Sequence, residues 1–273
     1  MDLEDILYSS NEHGELNNQE YKVCCDVFKS GEPEIKDPIV TVIMPVYNNK
    51  EDVLNSINSL YKQTYNSWEL IIIDDFSEDG TYELLKDFIT KKNDGRIRLY
   101  QNKKNMGCYV CMNEGLNKAK GEYITRLDSD DYFSPVKLEK QANYLDKYQD
   151  MIAINCILNR ENLYERFGEV TLMYRKKVKD VIGYYDSVRF AADSEFSDRM
   201  SKTYDGKIGE INEILYFAKN RKGSLKTSKN SGNYIIRDKY KYKYQMWHYG
   251  KEKLYISYPL NKRPFKVDEI MLP

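Results

Sequence analysis

At 273 residues the chain is long enough for one large α/β domain with appendages, or for two small domains. Its 42 Lys and Arg almost cancel its 43 Asp and Glu, so no global basic field exists to hold nucleic acid or an anionic membrane non-specifically. No apolar run approaches the roughly 20 residues that cross a bilayer, and the acidic start (Asp2, Glu4, Asp5) lacks the basic-then-apolar order of a secretory signal. The expectation is a cytoplasmic protein with no transmembrane segment and no nucleic-acid partner.

Residues 1–37 carry polar clusters, Gly14, Gly31, Pro33 and a short apolar patch at 23–28, which reads as an N-terminal extension with one helix. From residue 38 the pattern sharpens. The β-branched run 39–44 predicts a strand buried on both faces of a parallel sheet, ending at Met44 or Pro45. Val53, Ile57, Leu60 and Tyr61 then share one helical face. A second apolar strand, 69–73, runs straight into Asp74-Asp75. A helix over 80–90, a strand over 96–100, a helix over 108–119 and a strand over 121–127 follow, the last ending at Asp128-Ser129-Asp130-Asp131.

This β-α alternation with short connections predicts a doubly wound, mainly parallel α/β sheet with right-handed crossovers. Helices over 135–148 and 192–202 and a strand over 151–158 are expected downstream. After about residue 221 the chain is rich in Lys, Tyr, Asn and Ser with little periodicity, as in a tail that packs over the domain or binds a partner. The division expected is an extension at 1–37, a main domain at 38–220 and a tail at 221–273.

Ligands in such sheets sit outside the carboxyl ends of the strands. Three strands end there in polar or aromatic clusters: Pro45-Val46-Tyr47-Asn48, Asp74-Asp75, and Asp128-Ser129-Asp130-Asp131. All three should converge on one crevice. The carboxylates of Asp128 and Asp130 repel each other unless a cation lies beside them, and hard oxygen ligands suit Mg²⁺ or Mn²⁺ bound together with phosphate oxygens. A solvated acidic turn capping the helix near Pro135 is the competing reading. Asp74 and Asp75 are placed to take ribose hydroxyls or base N–H groups. Tyr47 is placed to stack on a base, unless it is a core tyrosine.

Neither a P-loop nor a Gly-x-Gly-x-x-Gly fingerprint follows the first strand, which argues against triphosphatase and NAD chemistry. With His13 and His248 the only histidines, a histidine-centred triad or zinc site is poorly supported. The five cysteines (Cys24, Cys25, Cys108, Cys111, Cys156) are scattered, as reduced thiols are; Cys108-x-x-Cys111 lacks the strand-to-helix context of a redox motif.

The blocks VTVIMPVYNNKEDVLNSINSLYKQTYNSWELIIIDDFSEDGTYELL and NKKNMGCYVCMNEGLNKAKGEYITRLDSDDYFSP resemble, in order, the nucleotide-binding half of the family 2 glycosyltransferases. The resemblance covers residues 38–140 closely. It implies a GT-A type fold and metal-dependent transfer of a sugar from a nucleoside diphosphate sugar, a UDP-sugar first, to a glycan, lipid or protein acceptor, with inversion. On the same resemblance Pro45 and Tyr47 line the base pocket, Asp74 or Asp75 contacts base or ribose, and Asn105 and Gly107 form the turn beside the nucleotide. Asp128 and Asp130 match the DxD element, with Asp130 as metal ligand.

Asp193 matches the family's catalytic base, with Glu195 in reserve. Many relatives carry Tyr-Arg-x-His-x-x-Ser near the end of the domain; here the histidine position holds Arg221, and Lys219 and Arg221 are expected to clamp the diphosphate. Two other classes stay open: a nucleotide-sugar-binding module without turnover, and a nucleotidyltransferase.

Overall fold

In the computed structural model, residues 24–28, 39–160, 163–165, 168–219, 234–260, 263–267 and 272–273 are described. In chain order the first half holds β1 (Cys24–Phe28), β2 (Val40–Val46), α1 (Val53–Tyr61), β3 (Trp68–Asp74), α2 (Thr81–Lys92), β4 (Ile97–Asn102), α3 (Cys108–Lys118) and β5 (Tyr123–Arg126). The second holds β6 (Tyr132–Phe133), α4 (Lys137–Lys147), β7 (Ala153–Arg160), β8 (Leu163–Glu165), β9 (Met173–Arg175), α5 (Val178–Ile182), α6 (Ala192–Thr203), β10 (Ile208–Ala218) and α7 (Tyr234–His248). The strands form one sheet in the order β1-β4-β3-β2-β5-β9-β7-β10-β6, with β8 on β7.

The four strands β4-β3-β2-β5 are parallel, as their unbroken apolar runs predict for strands buried on both faces. Period-2 alternation divides their side chains between two cores. Val40, Val42, Met44 and Val46 with Leu70 and Ile72 pack under α1, α2 and α4. Ile43 faces the other way, toward α3, α6 and α7. The approach of α3 to β2 requires a glycine: a Cβ on Gly115 would lie 2.4 Å from Ile43 Cγ2.

Three sequence expectations are corrected. The apolar patch before the domain is a strand, not a helix: β1 pairs antiparallel with β4 and covers what would otherwise be an open edge. Strand β2 runs on through Pro45 to Val46. Ile43 O accepts Leu127 N–H on the β5 side and Val46 O accepts Asp75 N–H on the β3 side, so Pro45 points its missing donor to the side where β5 has already ended. The tail, read as lacking periodicity, contains the 15-residue helix α7.

Lys137 opens α4 with its side chain fully buried. Its Nζ donates to the neutral groups Thr125 Oγ1 (3.0 Å) and Gln141 Oε1 (2.7 Å), and desolvation pushes the ammonium down to about 8 against the opposing charges of Cys156 and Glu169. Between pH ~8 and the ordinary lysine value of ~10.4 the unfolded chain holds a proton that the folded chain has lost, so stability rises with pH across that window. Lys137→Met should remove ~3 kcal/mol of this rise, read as the difference between wild type and variant in urea unfolding at the two ends of the window. Parallel pH profiles for the two proteins would refute the burial argument.

Candidate active site

Strand β2 pairs with β5 only as far as Ile43↔Arg126 but with β3 as far as Val46↔Asp74, which opens a crevice at the carboxyl ends. Tyr47 emerges there 43% exposed, so it is not a core tyrosine. Phe76, which the sequence reading passed over, is equally exposed on the neighbouring loop and holds φ +65°, a left-handed conformation uncommon outside glycine. Pro45 is half-buried on the crevice side of β2.

Asn48 has φ +46° and ties two loops together: its N–H donates to Ser77 Oγ (2.9 Å) and its Oδ1 accepts Glu78 N–H (2.8 Å). Asp74 is fully buried and does similar work, accepting Ser77 N–H and Gln101 Nε2 (both 3.0 Å) on Oδ2, while burial raises its pKa. Asp75 accepts Asn102 Nδ2 and Met106 N–H on Oδ1 (both 2.8 Å) and Gly107 N–H on Oδ2 (2.7 Å). It therefore anchors the Asn105-Met106-Gly107 turn, and its carboxylate, 3% exposed, also takes a side-chain hydrogen bond from Cys111. Gly107, at φ +92°, meets a requirement that other residues rarely satisfy, and Asn105 Oδ1 accepts Arg189 Nη1 (3.0 Å).

In the Asp128–Asp131 turn, residues alternate in direction. Ser129, within the cluster expected to face the nucleotide, turns inward instead, where its Oγ accepts Asn49 Nδ2 (2.9 Å) and its carbonyl accepts Ser56 Oγ (2.7 Å). Asp128 accepts Arg126 Nε at 2.5 Å, and Arg126 Nη1 reaches Glu169 Oε2 at 3.3 Å. Glu169, which also accepts the Tyr185 hydroxyl, is pushed up to about 7, first by burial and then by the charges of Asp193 and Asp128, with Arg126 opposing. This arginine, glutamate and tyrosine were missed in the sequence. A charged residue closing an otherwise apolar strand was the signal for Arg126; nothing local marked the other two.

Asp131, nearly buried, accepts Tyr216 Oη (2.8 Å) and Lys219 N–H (2.9 Å). Burial, then the charges of Asp128 and Asp130, push its carboxyl up to about 8. Lys219 Nζ pairs with Asp52 (2.7 Å) at the rim, within the field of Asp130. Arg221 lies outside the described residues. Among the described residues no group of three or more His, Cys, Asp or Glu forms a metal cage. The crowded carboxylates fit instead a hard cation shared between one or two aspartates and phosphate oxygens, the usual mode for Mg²⁺.

Helix α6 enters through Ala191 at φ +69°, with no side-chain cap. Asp193 sits in its first turn, half-exposed, where its Oδ1 accepts Ser194 N–H (2.8 Å); the N-cap position itself is held by Ala191. The charge of Asp193 raises the pKa of Tyr109, with which it shares a side-chain hydrogen bond, and of Glu169, the partner of Arg126. Glu195, two residues on, points to the opposite side of the helix. It is 0% exposed, takes both Arg199 Nε (2.9 Å) and Nη2 (2.8 Å), and lies 2.9 Å from His248 Nε2. The reserve assignment of Glu195 as base is corrected: its carboxylate is enclosed by protein. Cys108 and Cys111 are free thiols whose desolvation raises both pKa values, to about 12 for Cys108, the opposite of a redox pair.

A parallel sheet with acidic and aromatic clusters converging at its carboxyl edge, closed by an added mixed half-sheet, defines the GT-A class of fold. Residues 41–192 match the family Glycosyl transferase family 2, and the chain belongs to it. An uncharacterized glycosyltransferase of Haemophilus influenzae is 44% identical over 108 residues, 40% of this chain and 42% of that protein. The matched segment spans about two fifths of that relative and of two Bacillus subtilis relatives, and 16% to 37% of the length of others. Residues 1–349 of S. aureus TarS, solved with UDP-GlcNAc, superpose with TM-score 0.58 at 22% identity over 67% of this chain and 58% of that fragment. The mannosyltransferase PcManGT of Pyrobaculum calidifontis, solved with GDP-Man and Mn²⁺, gives 0.60 at 17% identity over 76% and 63%.

Proposed function

We propose that the chain transfers a sugar, with inversion, from a nucleoside diphosphate sugar, UDP-linked in the first instance, to a glycan, lipid or protein acceptor. The observation that supports the reading is the shared carboxyl edge: Tyr47 follows β2, Asp128 and Asp130 follow β5, Asp75 anchors the loop after β3, and the charge of Asp193 reaches Glu169, which pairs with Arg126 behind Asp128. The transferring unit is residues 38–220, with 1–37 and 221–273 flanking it.

In this reading Tyr47 stacks on the base, with Pro45 beside it, and Asp75 is the acid on the base or ribose side. Asp74, Asn48, Asn105 and Gly107 hold the loops that shape the pocket. Asp130, with Asp128, would hold Mn²⁺ or Mg²⁺, which when bound neutralises the diphosphate as it departs. Lys219 adds positive charge at the rim, and Arg221 is proposed for the same duty. Arg126 keeps Asp128 oriented toward the crevice. Asp193 removes the acceptor hydroxyl proton while the acceptor oxygen attacks the anomeric carbon from the face opposite the departing diphosphate, which accounts for inversion.

The test is transfer and donor hydrolysis with UDP-, GDP- and dTDP-sugars, with and without Mn²⁺. Binding without either reaction would favour a module that lacks turnover. Tyr47→Ala should weaken UDP binding by ~1–3 kcal/mol and leave stability of the unliganded chain within ~0.5 kcal/mol, because the ring is exposed. Calorimetry checks both numbers; a stability loss of several kcal/mol would return Tyr47 to a packing role. Asp130→Ala should abolish the metal dependence of UDP affinity, and affinity that still responds to Mn²⁺ would sink the metal assignment.

A further inference from the structure

Helix α7 has apolar side chains on two opposite faces, and one of them is uncovered. Tyr240, Tyr244 and His248, spaced four apart, are buried against the body of the protein, with Tyr240 Oη donating to Asp186 (3.1 Å) and Tyr244 Oη to Asp198 (2.8 Å). On the far side Ile235, Tyr242, Met246 and, one residue beyond the helix, Tyr249 follow at spacings of seven, four and three, which places them in one stripe. They are 58%, 66%, 54% and 81% exposed. A helix needing only to pack one face would carry polar residues there. Large side chains held together in solvent mark a surface that meets something.

The charge around the stripe says what. Residues 234–253 contain six Lys and Arg against Asp238 and Glu252, a local charge of +4 in a chain whose net charge is −1. Lys239, Lys241, Lys251 and Lys253 are all exposed; on the helix Lys239 shares the face of Tyr242 and Met246, while Lys241 lies on its flank. The even balance of the whole chain conceals this segregation. We infer that the outer face of α7 docks on the anionic surface of a lipid bilayer, the tyrosines and aliphatic side chains entering the headgroup boundary and the lysines meeting lipid phosphates.

Aromatic rings with an amphipathic body and lysines with long stems are the side chains that such an interface stabilises. A two-fold contact with a second copy would set the same lysines against each other, at an electrostatic cost. Single-stranded nucleic acid would use the rings and lysines but not Ile235 or Met246, which have no π-face to offer a base. Because α7 packs on α6, docking there holds the helix that bears Asp193 one layer from the bilayer. The inference does not depend on the transferase reading.

Co-sedimentation of the full chain with vesicles of mixed phosphatidylglycerol and phosphatidylcholine tests it, with pure phosphatidylcholine vesicles as the reference. Binding should appear with the anionic vesicles, fall as salt is raised, and drop roughly 25-fold in Lys239→Gln/Lys241→Gln, about fivefold for each lysine withdrawn from the surface. Tyr242→Ser/Tyr249→Ser should weaken it as well. Both double variants change exposed side chains, so an unaltered melting temperature and circular dichroism spectrum establish that they are folded. Equal sedimentation with neutral vesicles, full binding by either variant, an oligonucleotide that binds with higher affinity than the vesicles, or a dimer that the variants dissociate would each overturn the proposal.

Discussion

Asp193→Asn should lower kcat for sugar transfer by roughly 10²–10⁴ while the Kd for the nucleotide donor stays unchanged. The amide preserves the shape of the side chain and its bond to Ser194 N–H on the carbonyl oxygen, but it cannot accept the acceptor's proton. Asp193 owes its placement to a backbone feature: the left-handed Ala191 turns the chain into α6, so the first helical turn leaves Asp193 half-exposed and Glu195 in the interior. Single-turnover kinetics with saturating donor isolates the step. Near-normal turnover in this variant removes Asp193 from the chemistry, and retention of anomeric configuration in the product would discard the single-displacement scheme.

Glu195→Ala should cost about 3–5 kcal/mol of stability, because it strands the fully buried Arg199 guanidinium without its counter-charge. The loss extends beyond one pair. Arg199 also donates to the carbonyls of Ile182 and Tyr184, and His248 on α7 meets the same carboxylate, so the glutamate holds α5, α6 and α7 in register. Urea denaturation measures the effect. The milder Glu195→Gln should keep turnover per folded molecule near wild type while lowering the denaturation midpoint. A collapse of kcat in a Glu195→Gln protein of normal stability would return the base to Glu195. Together the Asp193 and Glu195 variants separate two carboxylates that lie two residues apart and that sequence alone left as first and second choice.

Much of the crevice was legible because the signal was local. An unbroken β-branched run means a strand covered on both faces, and such strands place whatever follows them at one edge; Tyr47, Asp75 and the Asp128–Asp131 turn were therefore located by strand periodicity alone. The direction of each side chain was not. Asp128 and Ser129 are adjacent in sequence, yet one pairs with Arg126 at the crevice while the other bonds inward to Asn49. That division depends on the path of the turn, which no residue type announces.

The tail shows the same limit more sharply. Residues 239–244 read Lys-Tyr-Lys-Tyr-Lys-Tyr, an alternation whose period suits a strand better than a helix. Packing against α6 selects the helix, since only a repeat near four brings Tyr240, Tyr244 and His248 together over Asp198 and Glu195 and leaves Tyr242 outside. By itself the sequence determined the parallel core, its order of elements and the acidic edge, because burial on both faces writes a continuous apolar signal into the chain. The tertiary structure alone decided which carboxylates stay partly exposed and which are enclosed by protein, that residues 24–28 complete the sheet edge and that residues 234–248 of the tail are helical. Those outcomes turn on partners far apart in sequence, and such contacts leave no local period to read.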